Sequence, residues 1–120
     1  MTQANDGERY PMDERYEISV IDTRDRMGGD ELVLVDIRES EELAIASIEG
    51  ALWIPMGELG SRINEIDAGE DTMIALICHS GRRSLSATVA LQRAGFEEVR
   101  SVAGGIDAWS VRIDPSVPRY

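Results

Sequence analysis

The sequence predicts an α/β fold, a small, mostly parallel β-sheet with helices on both faces. Three observations lead there. Stretches of strand character alternate with stretches of helical spacing, the two strongest strand candidates are nearly continuous apolar runs, and no repeat with a period of roughly 20 to 50 residues is present. A chain of 120 residues fits one domain.

The elements follow in order. Residues 1–17 are polar and read as a lead-in outside the core, residues 18–112 as the domain, and residues 113–120 as a proline-containing tail. Residues 18–29 predict a short helix with Ser19 as its cap, Ile21 facing inward and Gly28-Gly29 as its stop. Leu32 to Ile37 is apolar but for Asp36 and predicts a buried parallel strand, with polar chemistry starting at its C-terminal end. Ser40, followed by Glu41 and Glu42, opens a second helix by capping and by dipole. "GALWIP", residues 50–55, is a strand ended by Pro55, and Leu59, Ile63 and Ile66 then fall at helical spacing. Residues 72–78 form the most apolar strand, followed by a helix over residues 84–94 that Gly95 stops. A last strand near Val99 to Val102 leads through a double-glycine turn to a short helix containing Ile106 and Trp109.

Composition excludes several classes. A net charge of -11 argues against nucleic acid or an anionic membrane surface as partners. All 12 basic residues are arginine, so lysine Schiff-base and lysine general-base chemistry are ruled out. One cysteine and one histidine are too few for a protein-only metal site or an internal disulfide, so no metal is expected. No apolar stretch long enough to span a bilayer and no secretion signal is visible, and the expected location is cytoplasmic.

The chemistry gathers in "ALICHSGRRS", residues 75–84. Cys78 ends an apolar strand, a helix starts a few residues later, and ligands of parallel sheets bind beyond such strand ends. Gly81 permits a backbone turn that residues with a Cβ resist, and successive N–H groups can then converge on an anion. A cysteine alone reads most simply as buried filler. With glycine, Arg82, Arg83 and a helix start behind it, the combination favours a reactive thiolate. The negative charge elsewhere opposes this, but salt screens it beyond roughly 8 Å.

This loop resembles the Cys-x-x-Gly-x-Arg-Ser active loop of single-domain rhodanese-like sulfurtransferases. "LVLVDIRESEEL" is similar to the family's Asp-Val-Arg strand end followed by glutamates, "IEGALWIP" to its Ile-Pro-Gly-Ala-x-x-Ile-Pro segment, and "VAGGIDAW" to its Gly-Gly-x-x-x-Trp. The likeness spans about Ile18 to Trp109 in the family's order. It implies a rhodanese-like fold, Cys78 as the nucleophile that carries sulfur as a persulfide, and a substrate cradle of His79, Ser80, Gly81, Arg82, Arg83 and Ser84. Asp36 and Arg38 take a supporting role. No cofactor is implied beyond the persulfide itself. Ser47 stands where the family often has histidine and Glu49 where proline is common, both outside the sulfur chemistry. Related cysteine phosphatases and arsenate reductases have five residues between cysteine and arginine, whereas four separate Cys78 from Arg83.

The implied reaction is covalent sulfur transfer from a small anionic donor such as thiosulfate to cyanide, a small thiol or a protein thiol. With no second cysteine to resolve the persulfide, the acceptor is external. His79 reads as a surface loop residue rather than a general base, Trp53 and Trp109 as packing, and Glu39, Glu41, Glu42, Glu97 and Glu98 as solvated positions. The competing readings are a non-enzymatic binding module of the same fold and a thiol redox sensor.

Overall fold

The structure, a computed structural model, describes residues 12–120. Its sheet contains β1 (Glu17–Ile18), β2 (Leu32–Asp36), β3 (Leu52–Trp53), β4 (Met73–Ile77) and β5 (Val99–Val102), in the order β1-β5-β4-β2-β3. Every pairing is parallel, so each connection crosses over through a helix or loop. The helices are α1 (Val20–Arg26), α2 (Ser40–Ile45), α3 (Met56–Arg62), α4 (Arg82–Arg93) and α5 (Gly105–Arg112), and a 3-10 turn, Ile63–Glu65, extends α3.

The alternation of side chains along the central strands builds two cores. Leu32, Leu34, Ala75, Ile77 and Val102 face α1 and α5, where Val20, Ile106, Ala108 and Trp109 meet them. Val35, Ile74, Leu76 and Val99 face the other way, onto Leu59 of α3 and Ala87 and Leu91 of α4. Cys78 continues the Ile74, Leu76 parity and therefore points toward α4, not away from it. The predicted fold class is the one found.

Boundaries moved where backbone chemistry outweighed pattern. Residues 18–29 were expected to be helical, but Ile18 pairs with Val102 in β1, and the helix begins only after Ser19 accepts from the Asp22 amide at 3.0 Å. The lead-in therefore reaches the sheet: Glu17 lies in β1, while residues 1–11 fall outside the described residues. Glu39, not Ser40, caps α2, through a reciprocal capping box with Glu42. Gly81, in the left-handed region at φ 100°, caps α4 and starts it at Arg82, two residues before the expected position. The segment 113–120, expected as a tail, packs back onto the domain: Val117 is buried in the α5-side core, and its carbonyl accepts from Ser110 Oγ at 2.6 Å. Among the described residues no helix is long and apolar enough to cross a membrane.

Candidate active site

Cys78 lies one residue past β4 and is a free, buried cysteine, 1% exposed as a residue. The Gly81 amide donates to Sγ at 3.2 Å and the Ser84 amide at 3.4 Å, with Ser84 Oγ at 3.3 Å. Both amides belong to the start of α4, so the free N–H groups and dipole of a 12-residue helix are aimed at the sulfur. These donors favour negative charge on Sγ.

The loop is held from behind by the double glycine. Ile106 N donates to Cys78 O at 2.8 Å and Asp107 N to His79 O at 3.1 Å, tying the start of α5 to the loop backbone. The approach is possible only because Gly105, at φ 62°, has no side chain: a Cβ there would sit 2.5 Å from Cys78 O and collide with His79 O. Gly81 is similarly close, its added Cβ falling 3.2 Å from Gly104 N.

A chain of charged and phenolic groups flanks the loop. Arg83 Nη1 and Nη2 donate to Glu42 Oε1 and Oε2 at 2.7 and 2.8 Å. Tyr120 Oη donates to Glu42 Oε2 at 2.7 Å and accepts from Arg38 Nη1 at 2.9 Å. Arg38 is fully buried and bonds Asp36 through Nε and Nη2, the latter at 2.7 Å, and Ala46 O at 2.7 Å. The hydrogen bonds from Arg83 hold the Glu42 carboxyl at about 2, well below its ordinary 4.5, against the opposing effect of burial. Its partner Arg83 is correspondingly pushed up. Burial works against the Arg38 charge, but the bonds to Asp36 and Tyr120 outweigh it and raise that group too.

The structure brings the expected loop residues together but divides their roles. Gly81 and Ser84 present donors to the sulfur, Ser80 is exposed, and His79 stacks on Tyr120 with ring centroids 4.1 Å apart. Arg83 is engaged by Glu42, whereas Arg82 is exposed and makes no ion pair among the described residues. Asp36 and Arg38 are a buried pair that fixes the end of β2 and the return of α2. Trp53 is half-exposed at the sheet edge and donates from Nε1 to Arg38 O at 2.8 Å.

Glu42 was expected to be solvated, and that expectation fails, because its capping-box position turns the carboxylate inward toward Arg83. Two further residues carried little signal. Tyr120 lies far along the chain from everything it touches. Ser101 betrays itself only as a hydroxyl at a core position of β5, where its Oγ meets Ser84 Oγ at 2.7 Å. Among the described residues no group of three or more His, Cys, Asp or Glu side chains is arranged to hold a metal.

The chain is similar to known proteins in sequence and fold. The rhodanese-like domain family matches residues 14–112. YtwF of Bacillus subtilis is 36% identical over 100 residues, covering 82% of this chain and 94% of its own length. A rhodanese-related protein from Thermoplasma volcanium superimposes with a TM-score of 0.71 at 28% identity, over 88% of this chain and 99% of that one. The human single-domain sulfurtransferase TSTD1 does so with a TM-score of 0.69 at 28% identity, over 80% of this chain and 96% of that one. The chain spans half or less of the length of the first curated relatives it matches. With the five-stranded parallel sheet, the Cys78 loop and a family match over nearly the whole described chain, the protein belongs to the rhodanese-like sulfurtransferase and sulfur-carrier family.

Proposed function

We propose that the protein takes a sulfane sulfur from a small anionic donor, thiosulfate being the simplest, and delivers it to an external thiophilic acceptor. The single observation that supports this most is the convergence of the Gly81 and Ser84 amides and the Ser84 hydroxyl on Cys78 Sγ. A buried sulfur among donors suits a group that carries negative charge, first as thiolate and then as persulfide.

In the first half-reaction the Cys78 thiolate attacks the outer sulfur of thiosulfate. A bond forms between Sγ and that sulfur, the S–S bond of thiosulfate breaks, and its electron pair leaves with sulfite. Cys78 is left as a persulfide anion, so charge balances without any proton transfer. In the second half, an acceptor thiolate or cyanide attacks the terminal sulfur and the Cys78 thiolate departs. This sequence contains one cysteine, so the acceptor comes from outside it. Converging amides serve both halves by stabilising charge as an oxyanion site does. Arg82, exposed and without an ion pair among the described residues, is the cation suited to meet the incoming anion, while Arg83 braces the helix start through Glu42.

Steady-state kinetics test the two-step scheme. With thiosulfate and cyanide varied, thiocyanate formation should give parallel double-reciprocal lines, the pattern of a ping-pong mechanism. Intersecting lines, or turnover that persists in Cys78→Ala, would reject it. A non-enzymatic binding module would give no turnover at all.

A further inference from the structure

We propose that Ser101 is a positioning residue for the Cys78 nucleophile: its hydroxyl donates to Ser84 and so commits the Ser84 proton to the sulfur. The proposal rests on the reading of Cys78 as the reactive group. Ser84 Oγ lies 3.3 Å from Cys78 Sγ and 2.7 Å from Ser101 Oγ, and both serines are fully buried.

The direction of the chain follows from counting protons. A serine hydroxyl has one proton and two lone pairs, and a thiolate can only accept. When Cys78 is ionised, the Ser84 proton goes to sulfur, and the 2.7 Å contact is left to Ser101 as donor. That second bond polarises Ser84 and strengthens its bond to the charged sulfur. When Cys78 is a neutral thiol the chain can run the other way, S–H to Ser84 and Ser84 to Ser101. Loss of the Ser101 hydroxyl therefore weakens the charged state more than the neutral one.

Nothing else explains a hydroxyl at this position. Val99 and Ser101 share a parity on β5, and Val99 belongs to the apolar core beneath α4. Among the described residues Ser84 is the hydrogen-bond partner of the Ser101 hydroxyl. One turn along α4, the buried Thr88 hydroxyl has no hydrogen-bond partner among the described residues, so the α4–β5 interface does not generally supply them.

The charges around the sulfur are fixed by other contacts. Asp36 pairs with Arg38, Glu42 with Arg83, and Asp107 on α5 with Arg119. His79 stacks on Tyr120, Arg82 is exposed, and Arg100 of β5 turns to the carbonyls of Glu14 and Glu97. Removing one serine hydroxyl leaves all of these in place, so a changed pH profile reads the hydroxyl chain itself.

The test is the rate of Cys78 alkylation by iodoacetamide as a function of pH. Ser101→Ala should move the inflection upward by about half a pH unit, roughly a threefold slower reaction below it, the size expected for one hydrogen bond. Ser101→Thr, which keeps the hydroxyl, should restore the wild-type profile. In a Ser84→Ala background the same Ser101→Ala change should add nothing, since it acts through Ser84. An unchanged profile, or a shift that simply adds to that of Ser84→Ala, would overturn the proposal. A variant that melts earlier yet keeps the wild-type profile would overturn it too, as a purely structural effect. Thiosulfate loading of the wild type, read by mass, judges the sulfur-transfer reading separately, because the alkylation profile does not depend on it.

Discussion

Arg83 and Glu42 form a two-point ion pair, Nη1 to Oε1 at 2.7 Å and Nη2 to Oε2 at 2.8 Å, that joins the first turn of α4 to α2 beside the cysteine loop. Tyr120 closes the pair from the far side with a 2.7 Å bond to the same carboxylate. An arginine held this way orients a helix start more than it greets a substrate. Its neighbour Arg82 is exposed and makes no ion pair among the described residues.

The two arginines should therefore fail differently. Arg82→Ala is expected to raise KM for thiosulfate about three- to tenfold with a small change in kcat, and the effect should shrink as salt rises, because exposed charges are screened. Arg83→Ala should instead lower stability by about 1–3 kcal/mol, since it leaves the partly buried Glu42 carboxylate without its main partner. Steady-state kinetics in varied salt, alongside urea unfolding, check both. Equal KM effects from the two variants would contradict the division of roles.

The Glu42 pair also sets an acid limit. Its carboxyl is held at about 2 in the folded protein against an ordinary 4.5, so the unfolded chain binds the proton more readily. The linkage then gives a stabilisation that is complete above about pH 4.5 and is lost as pH falls through about 2. Its size is on the order of 2 kcal/mol, allowing for the partly exposed partner. Urea unfolding between pH 6 and pH 2 should show this loss in the wild type and a shallower one in Glu42→Gln. Parallel curves would show that the pair contributes nothing.

Gly105 should tolerate no side chain. Gly105→Ala places a Cβ against the carbonyls of Cys78 and His79 at a φ that favours glycine, with an expected loss of about 1–3 kcal/mol and a displaced cysteine loop. The checks are thermal unfolding and the alkylation rate of Cys78. Gly29, with no atom near its Cβ position and no positive φ, is the control: Gly29→Ala should leave both unchanged.

The sheet was legible because it depends on local pattern. Leu32 to Ile37 and Thr72 to Cys78 are apolar enough that a parallel strand is the only economical reading, and Gly81 with two arginines marks a turn into a helix. The site was legible only where its residues are adjacent in sequence. Glu42 looked like a solvated helix residue, since charge alone does not say which way a capping side chain turns. Tyr120 reaches Glu42 and Arg38 across 78 and 82 positions, and no local periodicity encodes such a contact. Glu17–Ile18 was missed as a strand because two residues carry no period, and their pairing with β5 is visible only once the sheet is assembled.

The central claim is that Cys78 carries the sulfur, and intact-protein mass after incubation with thiosulfate tests it most directly. The wild-type protein should gain the mass of one sulfur atom, lose it on addition of cyanide with release of thiocyanate, and show neither change as Cys78→Ala. A wild-type protein that gains no sulfur from thiosulfate or any other sulfane donor, or a gain that survives in Cys78→Ala, would contradict it.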